Sequence, residues 1–167
     1  MKEHNIAFVD GQNLHLGITA EGWKLDFKKF RIYLQEKYQV DEAYFFLWFL
    51  NEDHQDLYRK LQKSGFILEF REHNAEMLGK KKWNVDVDIV FEIMKTLKDE
   101  QDFDNILLVS GDGDYIKVVK YLIQKKALKK ILFPNKKFSS LYKAIATDYG
   151  ANISLPDIRK KLEYKGK

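Results

Sequence analysis

The sequence predicts an α/β fold, a three-layer α/β/α sandwich around a mainly parallel central sheet of about five strands. Short, continuously apolar runs alternate with longer segments of helical periodicity, which is the pattern of strands joined by crossover helices. The chain has 167 residues, a length that suits one domain with one core, and 45% of them are hydrophobic. Because it contains only two prolines and nine glycines, the sequence shows no linker between domains.

Each predicted strand is an apolar run that is too short for a helix. The five runs cover residues 6–9, 43–50, 66–70, 105–110 and 129–133. The predicted helices carry apolar residues three, four and seven positions apart, and Asp26 is a candidate N-cap for the first of them. They cover residues 26–38, 53–63, 84–100 and 115–126, with shorter helices in 138–148 and 155–164. We expect a lysine-rich loop over 71–83, one domain over 1–162 and a polar tail over 163–167.

Composition excludes several classes of protein. The chain has no cysteine, which rules out disulfides, zinc–thiolate sites and thiol catalysis. Its longest apolar run, residues 43–50, falls far short of the roughly 20 residues that cross a bilayer. The N-terminal segment turns polar too soon for a signal peptide, so we expect a cytoplasmic protein that has no membrane association. A net charge of +4 makes a polyanionic partner plausible without requiring one.

Acidic residues follow two of the predicted strands. Asp10 ends the first strand, with Asn13 three positions further on, and the fourth strand ends in Ser110, Asp112 and Asp114. The carboxyl ends of parallel strands meet at one edge of a sheet, so these carboxylates converge if the two strands are neighbours. The two glycines of the S-G-D-G-D segment are expected to adopt backbone conformations that larger residues resist, which would let both aspartates face one point.

Asp86 supplies a fourth carboxylate from the longest predicted helix. At about 100° per residue it shares a face with Ile89, Val90 and Ile93, whereas Asp88 points away. A buried carboxylate without a partner is costly, so Asp86 needs a cation or a donor. Oxygen ligands from aspartate, supplemented by asparagine, serine and water, suit Mg²⁺ or Mn²⁺.

Asp86, Asp112 and Asp114 each also have a simpler interpretation as a helix N-cap or a turn residue. For any one of them alone, capping is the better interpretation. All four occur at two strand ends and at the base of an inward-facing helix, and this combination favours a shared site.

The segments around these residues resemble the NYN domain of the LabA/DUF88 group, a branch of the PIN-like nucleases. They are FVDGQNL, KKWNVDVDIVFEIMK and NILLVSGDGDYIKVVKYLIQK. The similarity extends over residues 6–155, with two departures. Tyr115 stands where the family usually has phenylalanine, and the segment before Val85 is KKKWN instead of the common Lys-Gly approach. The resemblance implies a PIN-like fold and a metal-dependent ribonuclease that leaves a 5′-phosphate. It also implies four acidic ligands and two supporting polar groups, namely Asp10, Asp86, Asp112 and Asp114, with Asn13 and Ser110.

Phosphodiester hydrolysis needs an activated water and neutralisation of the charge that grows on the phosphoryl oxygens. One or two Mg²⁺ ions can supply both. In this interpretation Asp10 and Asp114 hold the main ion. Asp112 completes its shell, and Asp86 binds directly or through water.

An acidic pocket that acts on RNA needs basic residues around it. Lys80, Lys81, Lys82 and Trp83 precede Asp86, and lysines beside an aromatic ring suit backbone contact combined with base stacking. The other basic groups are Lys28, Lys29 and Arg31; Lys125, Lys126, Lys129 and Lys130; and Lys136 and Lys137 with Phe138. A solvated lysine-rich surface is an equally good interpretation of each group. The resemblance to the NYN domain implies RNA as the partner. The aromatic content permits a homodimer without locating its interface.

Two other functions stay open. The chain could be a non-catalytic module that holds RNA or a protein partner and keeps the acidic pocket. A weaker alternative is an aspartate-phosphorylating domain, such as a receiver domain or a phosphatase of the haloacid-dehalogenase type. The phosphatase requires Asp-x-Asp after the first strand, and Gln12 at the second position counts against it. The sequence contains no nucleophile elbow, P-loop or G-x-G-x-x-G, so hydrolase triads and dinucleotide-dependent enzymes have no support.

Overall fold

A computed structural model describes residues 2–47, 52–70, 86–100 and 102–166 of the chain. The strands within these ranges are β1 (Asn5–Asp10), β2 (Val40–Leu47), β3 (Ile67–Phe70), β4 (Ile106–Val109), β5 (Leu128–Phe133) and β6 (Gly150–Asn152). The α-helices are α1 (Gly11–Ala20), α2 (Phe27–Tyr38), α3 (Gln55–Ser64), α4 (Asp86–Asp99), α5 (Ile116–Gln124), α6 (Lys143–Tyr149) and α7 (Pro156–Leu162). Short 3₁₀ turns cover Glu52–His54, Gly113–Tyr115 and Ser140–Tyr142.

The strands form one sheet in the order β3-β2-β1-β4-β5-β6, and every pairing is parallel. The predicted α/β architecture with a parallel sheet is therefore confirmed, with six strands in the described ranges instead of about five. The additional strand, β6, has three half-buried residues, Gly-Ala-Asn. It lacks the apolar run by which the other strands are recognised in the sequence.

Helices cover both faces of the sheet, and side chains of β1 alternate between the two cores. Ala7 and Val9 contribute to the first core. Its helical residues come from α1, α2, α3 and α7, and include Leu14, Ile18, Phe30, Leu34, Leu61 and Leu162. Ile6 and Phe8 contribute to the second core, in which α4 and α5 supply Ile89, Ile93, Val118, Val119 and Leu122. This is the three-layer arrangement that the alternation of elements predicts.

Helix α1 is an element that the sequence reasoning missed. Its first and seventh residues are glycines, which look like turn signals in a sequence. In the structure they are sites of close packing: a Cβ on Gly11 would lie 2.6 Å from a ring carbon of Phe45, and a Cβ on Gly17 would lie 2.5 Å from Cβ of Pro134. Burial of Leu14 and Ile18 on one side of the helix outweighs the low helix propensity of these glycines.

Several local predictions can be compared with the structure. The carboxylate of Asp26 accepts a hydrogen bond from the amide of Lys29 at 3.1 Å, which confirms the predicted N-cap of α2. The predicted loop over 71–83 lies outside the described residues. In the predicted tail, Glu163 forms a β-bridge with Leu25, and the amide of Tyr164 donates to a backbone carbonyl at 2.8 Å. In the described ranges, each helix is too short or too polar to cross a bilayer.

Candidate metal centre

The carboxyl ends of β1 and β4 lie side by side at the centre of the sheet. Val9 is in register with Val109, so the residues that follow them emerge together at one edge. Asp10 is the last residue of β1, and Ser110 to Asp112 follow β4 directly. The acidic residues after β1 and β4 converge only if these two strands are neighbours, and the sheet order confirms that they are.

Helix α4 brings a third carboxylate to this edge. Asp86 is its first residue and is 8% exposed, while Ile89 and Ile93 on the same face are fully buried in the second core. Carboxylate oxygens of Asp10, Asp86 and Asp112 lie within 4.8 Å of one another. The predicted inward orientation of Asp86 thus places it in one cluster with the residues of the two strand ends. Asp88, which was predicted to point away, is half-buried and does not belong to this group of three.

Asp10 is the most enclosed member of the cluster, with 3% of its surface exposed. One carboxylate oxygen accepts from the amide of Asn13 at 3.2 Å, and the other lies 3.4 Å from the hydroxyl of Ser110. Burial raises the pKa of Asp10 above its ordinary value, and the charge of Asp112 raises it further. The hydrogen bonds to the carboxylate oppose this rise, because they favour the charged form.

Asn13 and Ser110 connect the two strand ends. The side-chain carbonyl of Asn13 accepts from the amide of Gly111 at 2.8 Å, and the hydroxyl of Ser110 accepts from the amide of Asp112 at 3.1 Å. Each residue therefore contacts Asp10 and also the segment after β4. These contacts suit the supporting role that the resemblance implies for them.

The prediction that the two glycines of the S-G-D-G-D segment adopt backbone conformations closed to larger residues is wrong. Gly111 and Gly113 are not among the described residues that adopt a positive φ. Instead, a Cβ on Gly113 would lie 2.5 Å from the hydroxyl oxygen of Ser139. The restriction is one of space, because the chain between β5 and α6 packs closely against this loop.

Asp114 occupies a different position from the other three aspartates. Its side chain is exposed, and its amide donates to a carboxylate oxygen of Asp112 at 2.9 Å. Within the described ranges it is not a member of the convergent group. Asp112 caps the 3₁₀ turn through this contact, and Asp10 caps α1. Capping and clustering, which we weighed as alternatives, therefore occur together in the same residues.

A family model described as the NYN domain matches residues 5–150 of the chain. The chain belongs to the NYN domain family. This family lies within the PIN-like nuclease superfamily, whose NYN members are generally ribonucleases. The chain is 25% identical over 128 residues to the "Low amplitude and bright protein LabA" of Synechococcus elongatus, an alignment that covers 71% of this chain and 67% of that protein.

A solved structure has the same fold. It is a protein of unknown function, VPA0982, from Vibrio parahaemolyticus, which superposes with a TM-score of 0.75 at 22% identity. The match covers 98% of this chain and 97% of the other. The two proteins therefore share one fold over almost their full lengths.

In this NYN domain Tyr115, for which the sequence predicted no role, joins the acidic cluster. The hydroxyl of Tyr115 lies 2.7 Å from an oxygen of Asp86 and 3.1 Å from an oxygen of Asp10. Burial, followed by the charge of Asp10 and the contacts with Asp86, raises the pKa of the phenol, which keeps it protonated. The sequence contained one indication of this contact, because Tyr115 replaces the usual phenylalanine and so adds a hydroxyl.

The structure distinguishes among the basic groups of the NYN domain. Lys80, Lys81, Lys82 and Trp83 lie outside the described residues. The guanidinium of Arg31 donates to backbone carbonyls of Gly65, Val40 and Asp41, and Lys129 pairs with Glu3 at 2.6 Å. These contacts give both residues a structural role.

Lys136 and Lys137 have a different location. Both are exposed and follow β5, so they lie at the same edge of the parallel sheet as Asp10. The next residue, Phe138, stacks on Phe133 with ring centroids 3.9 Å apart. The segment is tied to the acidic loop by the amide of Ser139, which donates to the carbonyl of Gly111 at 2.9 Å.

The donor set of the cluster fits a hard divalent cation. Its ligand atoms are all carboxylate oxygens, the type that Mg²⁺ and Mn²⁺ prefer. In the described part of the chain, Asp10 and Asp112 form no ion pair with a lysine or arginine. A cation would therefore compensate two neighbouring negative charges, one of them on a deeply buried group.

Proposed function

We propose that this NYN domain is a divalent-metal-dependent ribonuclease that hydrolyses phosphodiester bonds in single-stranded or structured RNA. The observation that carries the proposal is the convergence of Asp10, Asp86 and Asp112 within 4.8 Å at the carboxyl edge of the sheet. Membership of the NYN domain family supports the reaction class, since NYN domains are generally ribonucleases.

In this proposal Asp10, Asp86 and Asp112 hold Mg²⁺ or Mn²⁺, and Asp114 is a further ligand from the exposed side. When bound, the metal would activate a water and neutralise the charge on the phosphoryl oxygens. Asn13 and Ser110 keep the ends of β1 and β4 in fixed relation, because each contacts Asp10 and the loop after β4.

The unequal exposure of the carboxylates gives the site a closed and an open side. Asp10 and Asp86 are buried, whereas Asp112 is half-buried and Asp114 is exposed. A phosphodiester can therefore approach from the side of Asp112 and Asp114, while the protein interior excludes water behind Asp10.

RNA contact needs positive charge on this same edge. Lys136 and Lys137 supply it within the described residues, and the half-buried ring of Phe138 beside them anchors the segment. Lys80, Lys81, Lys82 and Trp83, which precede α4 in the chain, remain our proposal for a second contact. Homologous NYN domains act on RNA, which favours RNA as the substrate.

The proposal is tested with Mn²⁺-dependent cleavage of a 5′-labelled single-stranded RNA. Asp86→Asn should remove the cleavage, because it removes one charge from the cluster. Asp99→Asn is the matched control, since Asp99 is the exposed last residue of the same helix. Asp99→Asn should cleave at the wild-type rate. Chelation of the metal should stop cleavage by the wild type and by Asp99→Asn.

Two results would contradict the proposal. Equal cleavage by Asp86→Asn and wild type would remove the acidic cluster from the reaction. Binding of RNA without metal-dependent cleavage of any substrate tested would support instead the non-catalytic module that keeps the acidic pocket.

A further inference from the structure

We propose that Tyr115 is a positioning residue, whose hydroxyl holds Asp86 against Asp10 in the arrangement that receives the cation. The inference rests on the proposed metal site and adds to it a residue that binds no metal itself. It is carried by two distances to a single oxygen atom, 2.7 Å from Asp86 and 3.1 Å from Asp10.

The ring of Tyr115 is a fixed support for its hydroxyl. The residue has no exposed surface and belongs to the second core, together with Phe8, Ile89 and Ile93. Rotation of the side chain away from the site would require the core around it to rearrange. The position of the hydroxyl is therefore set by the core and not by the carboxylates.

The two carboxylates that meet this hydroxyl come from different layers of the fold. Asp10 ends the central strand β1, and Asp86 begins α4, which packs on one face of the sheet. Two like charges at this separation repel each other, which opposes their convergence. A protonated phenol between them offers a donor to one carboxylate and a polar neighbour to the other, which favours the close arrangement.

A hydrogen-bond donor behind a metal ligand fixes the direction in which the ligand presents its oxygens. Loss of such an outer partner commonly weakens metal affinity by about 10–100-fold. Phenylalanine at this position would fill the same space in the core and lack only the hydroxyl. The substitution thus separates the effect on the carboxylates from the effect on packing.

The experiment titrates Mn²⁺ into the metal-free full chain by calorimetry and compares wild type with Tyr115→Phe. We expect Tyr115→Phe to keep the wild-type circular dichroism spectrum and to bind Mn²⁺ about 10–100-fold more weakly. Tyr38→Phe is the matched control, because Tyr38 is a buried tyrosine at the opposite edge of the sheet whose hydroxyl interacts with Tyr33. Its Mn²⁺ affinity should equal that of wild type.

A double-mutant cycle distinguishes positioning from a general effect on the structure. If the hydroxyl acts through Asp86, Tyr115→Phe should cause little further loss of Mn²⁺ affinity when Asp86→Asn is already present. Full additivity of the two losses would overturn the inference, as would an unchanged or tighter Mn²⁺ affinity of Tyr115→Phe alone.

The same titration separates this inference from the proposed function. Wild-type protein that binds no Mn²⁺ would overturn the metal site itself, and the positioning role with it. Wild-type binding, together with an unaltered Tyr115→Phe affinity, would overturn the positioning role alone.

Discussion

The two ends of β1 each carry a buried polar side chain, and their surroundings differ in kind. Asn5 begins the strand with no exposed surface, and Asp10 ends it with 3% exposed. The side-chain amide of Asn5 donates to the backbone carbonyl of Tyr38 at 2.6 Å and to the carboxylate of Glu3 at 2.9 Å. Its side-chain carbonyl accepts from the backbone amide of Asn105 at 3.0 Å. Asn5 is therefore a neutral group with complementary partners.

Asp10 has donors around it as well, but it also has negative charges beside it. Oxygens of Asp86 and Asp112 lie within 4.8 Å of its own. Two polar side chains of the same strand, both almost fully buried, therefore have opposite effects on stability. A buried neutral group with complementary partners stabilises the fold, whereas a buried charge among like charges reduces stability until a cation joins them. Four experiments test this difference.

The largest effect is expected from Asp10→Asn. Asparagine keeps the N-cap of α1 and loses the charge, so the fold should persist while Mn²⁺ affinity and RNA cleavage are lost. We expect a loss greater than the roughly 10–100-fold that removal of an outer partner causes, measured by calorimetry and by cleavage of labelled RNA. Wild-type metal affinity in this variant would show that the charge of Asp10 has no role.

The next largest effect is expected at Asn5, at the other end of β1, where a substitution should reduce stability and leave metal affinity unchanged. Asn5→Ala removes three hydrogen bonds and leaves buried backbone groups without them, so unfolding should require about 1–3 kcal/mol less free energy. Chemical denaturation measures this loss. The folded variant should bind Mn²⁺ as wild type does. A large change in metal affinity would contradict the assignment of a purely structural role to Asn5.

A smaller effect on RNA binding is expected from lysines at the carboxyl ends of the strands, and none from lysines at the amino ends. Replacing Lys136 and Lys137 by alanine should weaken RNA binding and reduce the slope of log affinity against log salt by about 1.4, or about 0.7 for each phosphate that the protein no longer neutralises. Lys125 and Lys126 are the matched control, because they precede β5 and lie at the edge where Asn5 lies. Equal slopes for both double variants would remove Lys136 and Lys137 from the RNA interface.

The smallest effect concerns pH and the metal-free protein. Burial raises the pKa of Asp10 in the folded state above its ordinary value of 3.8, so the native state binds this proton more tightly than the unfolded chain. At pH values above the ordinary pKa, this difference in proton affinity lowers the stability of the wild type, and Asp10→Asn should therefore melt at a higher temperature. This advantage should shrink as the pH falls through the raised pKa. A melting-temperature difference that is negative or independent of pH would contradict the crowding of charge around Asp10.

Predictions from local pattern succeeded where one segment contains the whole signal. The apolar runs of β1 and β4, the Asp26 cap and the inward face of α4 each depend on neighbouring residues alone. They failed where a distant contact decides the outcome. Gly11 and Gly17 look like turn residues, and only the approach of Phe45 and Pro134 shows why a helix has glycine there.

The sequence by itself determined the class of fold, the candidate carboxylates and the resemblance to the NYN domain, because apolar periodicity and short motifs are written along the chain. Only the tertiary structure decided which strands are neighbours, and so which carboxylates converge. It also set the unequal exposure of Asp112 and Asp114, and it placed the hydroxyl of Tyr115 between Asp86 and Asp10. The physical reason is that charge repulsion and hydrogen bonding depend on distances of a few ångströms between residues far apart in sequence.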